Sequence, residues 1–225
     1  MPRPLRIGLT MRMLGAIGYS EKRDALAQDW FTLLDDWNAI PICIPNKFSK
    51  VDHFVKMVDL VILTGGNDIS LDAESNSISN VDSFAHDRDL QEYKIIELCI
   101  EHKVPLLGIC RGMQLINYKF GGSLKNIDIE KHVAKEHGLN VLKNQFLTPR
   151  MSVNSYHHYG IGTECLGRNL DILALSHDNL VEAFAHQQHL IVGVMWHPER
   201  NHPVSSLDKD LIMKLIRKSQ GVLND

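Results

Sequence analysis

Residues 104–122 read Val-Pro-Leu-Leu-Gly-Ile-Cys-Arg-Gly-Met-Gln-Leu-Ile-Asn-Tyr-Lys-Phe-Gly-Gly, and this stretch decides the fold. Val104 to Ile109 is a short, almost wholly apolar run, as expected of a strand buried on both faces of a parallel sheet. Beyond Cys110, Met113, Leu115, Ile116 and Phe120 recur at spacings a packed helix can use, and Gly121-Gly122 ends that helix. Cys110 therefore sits at a sharp strand-to-helix turn between the small residues Gly108 and Gly112. Such an elbow lifts a side chain out of the sheet. The helix N-terminus favours negative charge there, so a thiol in this position is expected to ionise readily and act as a nucleophile. A buried structural cysteine is the competing reading, and the flanking glycines weigh against it.

Working outward, the chain alternates strand and helix. Arg6–Met11 reads as a strand, 12–20 as a loop, and Lys22–Asn38 as a helix with Leu26, Trp30, Leu33, Leu34 and Trp37 on one face. Ile40–Ile44 reads as a strand, Ser49–Val58 as a short helix, and Asp59–Leu63 as a buried strand ending in Thr64-Gly-Gly-Asn-Asp68. Residues 70–86 are rich in Ser, Asn and Asp and lack periodicity; a loop of that length is usually functional or disordered. Asp87–Lys103 reads as a helix with Leu90, Tyr93, Ile96 and Ile100 as its core stripe. After Gly122 the texture changes to strand-like segments at His132–Lys143, Met151–His157, Leu170–Ser176, Leu180–Ala185 and Leu190–Met195, and Leu207–Lys218 closes as an amphipathic helix. The expected fold is α/β: a mostly parallel central sheet with helices on both faces, and antiparallel strands added in the C-terminal half. One domain over 1–225 is expected.

Composition bounds the function. The chain has 225 residues, 44% of them hydrophobic and 23% charged, with a formal charge of −3, so neither nucleic acid nor an anionic membrane is an expected partner. The four cysteines, Cys43, Cys99, Cys110 and Cys165, form no CxxC pair, and no disulfide framework or cysteine zinc site is read. No run of roughly 18 apolar residues marks a membrane span. A cytoplasmic enzyme with reduced thiols, without cofactor or metal, acting on a small molecule as a monomer or homodimer, is the expectation.

A thiolate nucleophile needs a base that later returns a proton to the leaving group. Among twelve histidines, His197 stands out. The apolar run Ile191-Val-Gly-Val-Met-Trp196 delivers it at a strand end, and Glu199 follows two residues on. In an extended stretch those two side chains point the same way, and Pro198 keeps the preceding residue extended. Glu199 can then orient the His197 ring, a cysteine version of a Ser-His-Asp arrangement. A plain hydrogen-bonded histidine is the alternative for His197 alone. Acyl transfer also needs oxyanion donors: Arg111 offers a backbone N–H at the helix start, and Gly65-Gly66 a second one, or else a plain turn.

Six stretches together resemble the class I glutamine amidotransferase superfamily, and within it the γ-glutamyl hydrolase branch typified by γ-glutamyl-γ-aminobutyrate hydrolases. They are Ile62–Asp68, Arg88-Asp89, Pro105–Asn117, Gly121–Leu124, Val153–His158 and Trp196–Glu199. The resemblance implies a flavodoxin-like fold and cleavage of a γ-glutamyl amide through a thioester at Cys110. It implies His197 as general base and then acid, Glu199 as its orienter, and Gly66 and Arg111 as oxyanion donors. It matches Gln114 to a residue that holds the α-amino or α-carboxylate group of the substrate, and Tyr156, His157, His158 and Tyr159 to a segment around the glutamyl moiety. A polar loop or a weak histidine metal site is the other reading of that segment. Residues 69–86 lack the Pro and Tyr of the longer insert usual in γ-aminobutyrate-type enzymes. The whole chain looks more like the γ-glutamyl-CDP-amidate hydrolases, which would release glutamate and cytidine diphosphoramidate. Arg12 and Arg88 are then candidate diphosphate contacts, because guanidinium suits phosphate. Hydrolysis of γ-glutamyl-γ-aminobutyrate or another small γ-glutamyl amine, a glutaminase subunit feeding ammonia to a synthetase, and a non-catalytic binding protein on the same fold remain as alternatives.

Overall fold

Three short runs, Leu60–Leu63, Leu106–Ile109 and Ile191–Val194, are buried at every position. Strands of that kind belong in the middle of a sheet covered on both faces, and that is where the computed structural model places them. It describes residues 3–70, 86–143, 145–148, 152–201, 203 and 205–222.

In chain order the elements are β1 (Leu5–Thr10), β2 (Arg12–Gly15), β3 (Lys22–Ala25), α1 (Asp29–Asp36), β4 (Ala39–Ile44), α2 (Val51–Met57), β5 (Leu60–Leu63), α3 (His86–His102), β6 (Leu106–Ile109), α4 (Arg111–Lys119), β7 (Lys125–Asn126), α5 (Ile129–His132), β8 (Val133–Gly138), β9 (Asn140–Val141), β10 (Ser152–Tyr156), β11 (Tyr159–Gly160), β12 (Leu170–Leu175), β13 (Val181–His186), β14 (Ile191–Val194) and α6 (Ser206–Ser219). An eight-stranded sheet runs in the order β4-β1-β5-β6-β14-β13-β12-β9. The pairings from β4 to β14 are parallel and those from β14 to β9 antiparallel. The architecture is mixed α/β, flavodoxin-like with antiparallel extensions, as the sequence suggests. β14 is the exception among the late strands: it lies parallel to β6, with Gly193 opposite Gly108.

Small residues let α4 settle on the sheet. A Cβ at Gly108 would come within 2.5 Å of Ile116 Cδ1, and one at Gly193 within 2.7 Å of Met113 Cγ. A Cβ at Gly112 would collide with the Leu63 carbonyl oxygen. The helix behind Cys110 is thus pressed onto β5, β6 and β14, and the C-terminal ends of these three strands form one edge of the molecule. Crevices outside the carboxyl ends of parallel strands are where open α/β sheets bind ligands.

Two expectations from the sequence need correction. Residues 12–25 contain a hairpin, β2 paired with β3, and α1 begins only at Asp29. The helix-forming residues Lys22-Arg23-Asp24-Ala25 are captured by long-range bonds instead: the Asp24 carboxylate accepts from the Asn46 backbone N–H at 3.0 Å and from its side-chain amide at 2.7 Å. On α3, Leu90 is 59% exposed, whereas Arg88, Asp89, Glu92, Ile95, Ile96 and Cys99 face inward. Charged residues occupy the first turns of its buried face. The 70–86 loop lies, from 71 to 85, outside the described residues. No helix among the described residues is long and apolar enough to cross a membrane.

Candidate active site at the strand ends

Cys110 follows β6 directly and precedes the first residue of α4. Its φ of 50° and ψ of −104° are unusual for a residue with a side chain, and strain of this kind concentrates at functional sites. Its backbone N–H donates to Val194 O at 2.8 Å, tying the elbow to the neighbouring strand.

His197 leaves the end of β14 beside Cys110, close enough for each side chain to shift the other's titration. Its Nδ1–H donates to Glu199 Oε1 at 2.6 Å, and both side chains are buried. The route to that contact differs from the extended i, i+2 geometry expected. His197 is extended at φ −114° and ψ 92°, but Pro198–Arg200 curl into a 3-10 turn that brings Glu199 back beneath the imidazole. Asn154 on β10 fixes the His197 backbone from both sides: its Oδ1 accepts from His197 N and its Nδ2 donates to His197 O, each at 2.8 Å. Asn201 continues the chain of contacts, taking a bond from Asn154 and giving one to Asp208 on α6. Trp196 Nε1 also donates to Asp208, at 2.8 Å.

The electrostatics favour an ion pair. Burial pushes the Cys110 thiol up, but the adjacent His197 outweighs it, and the net shift is downward. Burial opposes the His197 imidazolium, yet Cys110 and Glu199 raise it to about 9. The two shifts run in opposite directions and both favour the thiolate–imidazolium form of the pair. Two of the other thiols are shifted the opposite way: burial raises both Cys43 and Cys99.

Gly65 and Gly66 end β5 across from the elbow. A Cβ on Gly65 would lie 2.7 Å from His197 Cε1, so the imidazole packs close against the backbone. Gly66 has φ +122°, a region L side chains rarely adopt. Arg111 is the first residue of α4, and the amide of a helix's first residue has no carbonyl one turn earlier to bond. A buried ionic cluster lies under both. Arg88 and Arg111 interleave with Glu92 and Asp89: Arg88 Nε meets Glu92 Oε1 at 2.8 Å, and Arg111 pairs with Asp89 and with Glu92. The two guanidinium groups hold the Glu92 carboxyl below its ordinary value although burial pushes the other way.

Arg88 does not stand where a substrate contact would. It is fully buried, and its guanidinium donates to Thr64 O at 2.6 Å, to Gly65 O at 3.2 Å and to Glu92. The reading of Arg88 as a diphosphate contact is corrected: its donors serve the protein, and it anchors the glycine turn. Burial lowers its pKa to about 10, with Arg111 adding to the effect. Arg12, on β2, is half-buried, with its Cβ and Nε against Gly66.

The remaining sequence candidates gather around one segment. Gln114 Nε2 donates to Tyr159 O at 3.0 Å, as does His157 Nδ1 at the same distance. Tyr156 meets the His197 ring edge-on at 5.8 Å and carries the Arg200 guanidinium over its face at 4.3 Å. His157 is buried, Tyr159 half-buried and His158 exposed. A polar groove of about 530 Å³ opens beside Tyr156, with Lys135, Asn154 and Arg200 among its walls.

The sequence pattern of the peptidase C26 family matches residues 7–199. The chain belongs to that family, of the class I glutamine amidotransferase-like hydrolases. It is 37% identical to the γ-glutamyl-CDP-amidate hydrolase of Campylobacter jejuni over 206 residues, 89% of this chain and 93% of that protein. It is 31% identical to the γ-glutamyl-γ-aminobutyrate hydrolase PuuD of Escherichia coli over 59% of this chain and 61% of that one. Among solved structures, a glutamine amidotransferase from Thermotoga maritima superposes with a TM-score of 0.64 at 16% identity, covering 96% of this chain and 85% of that one. At that identity the structural likeness bears on the fold.

Two residues of this C26 chain escape a reading of the sequence. Asn154 lies inside a stretch that carries the resemblance, but nothing local marks it as the residue that grips the His197 backbone. Glu182 is a buried carboxylate on β13, and a signal for it exists: it is the one acid in the otherwise apolar run Leu180–Ala185.

Proposed function

We propose that the chain hydrolyses a γ-glutamyl amide through a covalent thioester on Cys110. The observation that carries this reading is the cysteine at φ 50° beside a buried imidazole whose Nδ1 is held by Glu199 at 2.6 Å. The Cys110 thiolate attacks the γ-carbonyl carbon. The carbonyl oxygen becomes an oxyanion facing the backbone N–H groups of Gly66 and Arg111. As the intermediate collapses, the C–N bond breaks and the His197 imidazolium gives its proton to the departing nitrogen. His197, now neutral, takes a proton from water, and the hydroxide attacks the thioester. Glutamate leaves, and the thiolate–imidazolium pair is restored. Glu199 keeps the imidazole in the tautomer that points Nε2 at the sulfur. Gln114 and the backbone of 156–159 hold the α-amino and α-carboxylate ends of the glutamyl group.

For the leaving group we favour a phosphorylated nucleotide amidate of the γ-glutamyl-CDP-amidate kind over γ-aminobutyrate. Nearly the whole chain aligns with the Campylobacter hydrolase, against about three fifths for PuuD. The groove beside Tyr156 is lined by Lys135 and Arg200 together with Glu136, and the two cations suit a diphosphate. The test is a panel of γ-glutamyl compounds assayed for glutamate release: γ-glutamyl-CDP-amidate, γ-glutamyl-γ-aminobutyrate and glutamine. The account expects the highest kcat/KM for the first. Preference for glutamine would instead favour a glutaminase subunit, and release from none would remove the hydrolase reading.

A further inference from the structure

Behind the substrate segment lies a second group of titratable side chains that the proposed reaction does not use. His132 ends α5, His137 lies on β8 and Glu182 on β13. Each offers one ligand atom, and these atoms lie within 4.8 Å of one another. Glu182 is buried, and neither carboxylate oxygen has a hydrogen-bond partner among the described residues. Both ring nitrogens of His137 and Nδ1 of His132 are likewise buried without partners there. Unsatisfied groups this concentrated are costly unless a ligand answers them.

The spacing and tautomers identify the ligand by its chemistry. Glu182 Oε1 lies 3.8 Å from His137 Nε2 and 3.7 Å from His157 Nε2. A direct hydrogen bond would draw such atoms to about 2.9 Å, whereas two ligands on one tetrahedral ion with bonds of about 2.1 Å stand about 3.4 Å apart. His132 Nε2 contacts Asp178 Oδ2 at 2.9 Å. With that nitrogen protonated, the Nδ1 lone pair faces the cluster. Likewise His157 Nδ1 meets Tyr159 O at 3.0 Å, which turns its Nε2 towards Glu182. An outer partner fixing the tautomer of an inner imidazole is the usual second layer of a metal site.

We propose that His132, His137 and Glu182 bind a divalent transition-metal ion of the zinc type, with His157 available for the fourth position. Two imidazoles and a carboxylate form a donor set such ions accept. His137, the least buried member at 13% side-chain exposure, marks the way in. The ion would pin the β8–β10 ribbon to the central sheet at β13. That ribbon carries Tyr156 at its end, and Ser155 Oγ donates to His132 O at 2.6 Å. The role is to brace the substrate segment and takes no part in bond breaking. This departs from the metal-free expectation drawn from the sequence, in which His157-His158 is the weak candidate and the other ligands are scattered along the chain.

The test is a titration of tag-free, chelator-treated protein with CoCl2, read by visible absorption, followed by competition with ZnCl2. We expect one Co²⁺ per chain with the strong d–d bands of a tetrahedral site, displacement by Zn²⁺, and a Tm that rises with Zn²⁺. The bands should survive in Cys110→Ser and vanish in Glu182→Gln and His137→Gln, with folding checked by far-UV circular dichroism. Having two variants at different positions guards against one of them failing to fold. Absence of the bands together with a Tm indifferent to Zn²⁺ would overturn the proposal. So would bands that persist in folded Glu182→Gln and His137→Gln, or that disappear in Cys110→Ser.

Discussion

A single methyl group at Gly65 should slow the enzyme without removing any reacting group. Gly65 does not occupy the left-handed region, so Gly65→Ala adds no backbone strain of that kind. The new Cβ would sit 2.7 Å from His197 Cε1, where ordinary contacts begin at 3.4 Å, so the ring must retreat by roughly 0.7 Å. It has little freedom to do so: Asn154 holds the His197 backbone at both N and O, and Glu199 holds Nδ1 at 2.6 Å. The overpacking should cost about 1–3 kcal/mol, a fall in Tm of several degrees for a chain of this size. Misplacing a catalytic group by about 1 Å can cost ~10²-fold in rate, so kcat should drop about ten- to a hundredfold with KM little changed. Steady-state glutamate release and the rate of Cys110 alkylation at pH 7 would be measured together, and both should fall. Activity within twofold of the parent in a folded Gly65→Ala protein would refute the claim that the imidazole works from this position.

Cys110→Ala should abolish glutamate release yet bind the substrate, checked by calorimetry. Brief iodoacetamide treatment followed by peptide mapping should label Cys110 ahead of the exposed Cys43, because His197 lowers the first thiol and burial raises the second. The pH profile of kcat/KM should hold a plateau at neutral pH. It should fall on the acid side as the thiolate is protonated, and on the alkaline side near 9, where His197 loses the proton it gives to the leaving nitrogen. Arg88→Met should act on stability and hardly on KM: stripping a partner from a buried charge costs about 3–5 kcal/mol, measurable by urea denaturation. Lys135→Met should raise KM roughly tenfold for a diphosphate-bearing substrate and leave a neutral γ-glutamyl anilide unaffected.

Much of this is legible in the chain because it is encoded locally. The runs at 60–63, 106–109 and 191–194 carry their burial on both faces in their composition, and Cys110 and His197 follow closely on two of them. What the sequence conceals depends on contacts between distant segments. Lys22–Ala25 has helix-forming residues, but pairing with Arg12–Gly15 and the Asn46–Asp24 bonds override that preference. The buried face of α3 defies its pattern because apolarity usually marks the inside, whereas here Arg88, Asp89 and Glu92 are buried by pairing with one another and with Arg111. The same network turns Arg88 from an apparent phosphate ligand into a strut beneath Gly65. Glu199 reaches His197 through a 3-10 turn that the dipeptide Pro-Glu does not announce.

Acid-quenched mass spectrometry during turnover of a γ-glutamyl substrate tests the covalent step most directly. A mass increase of one glutamyl group on the peptide containing Cys110, labile to hydroxylamine and lost as substrate runs out, is the expected result. Continued glutamate release by Cys110→Ala, with no adduct on the parent enzyme, would contradict it.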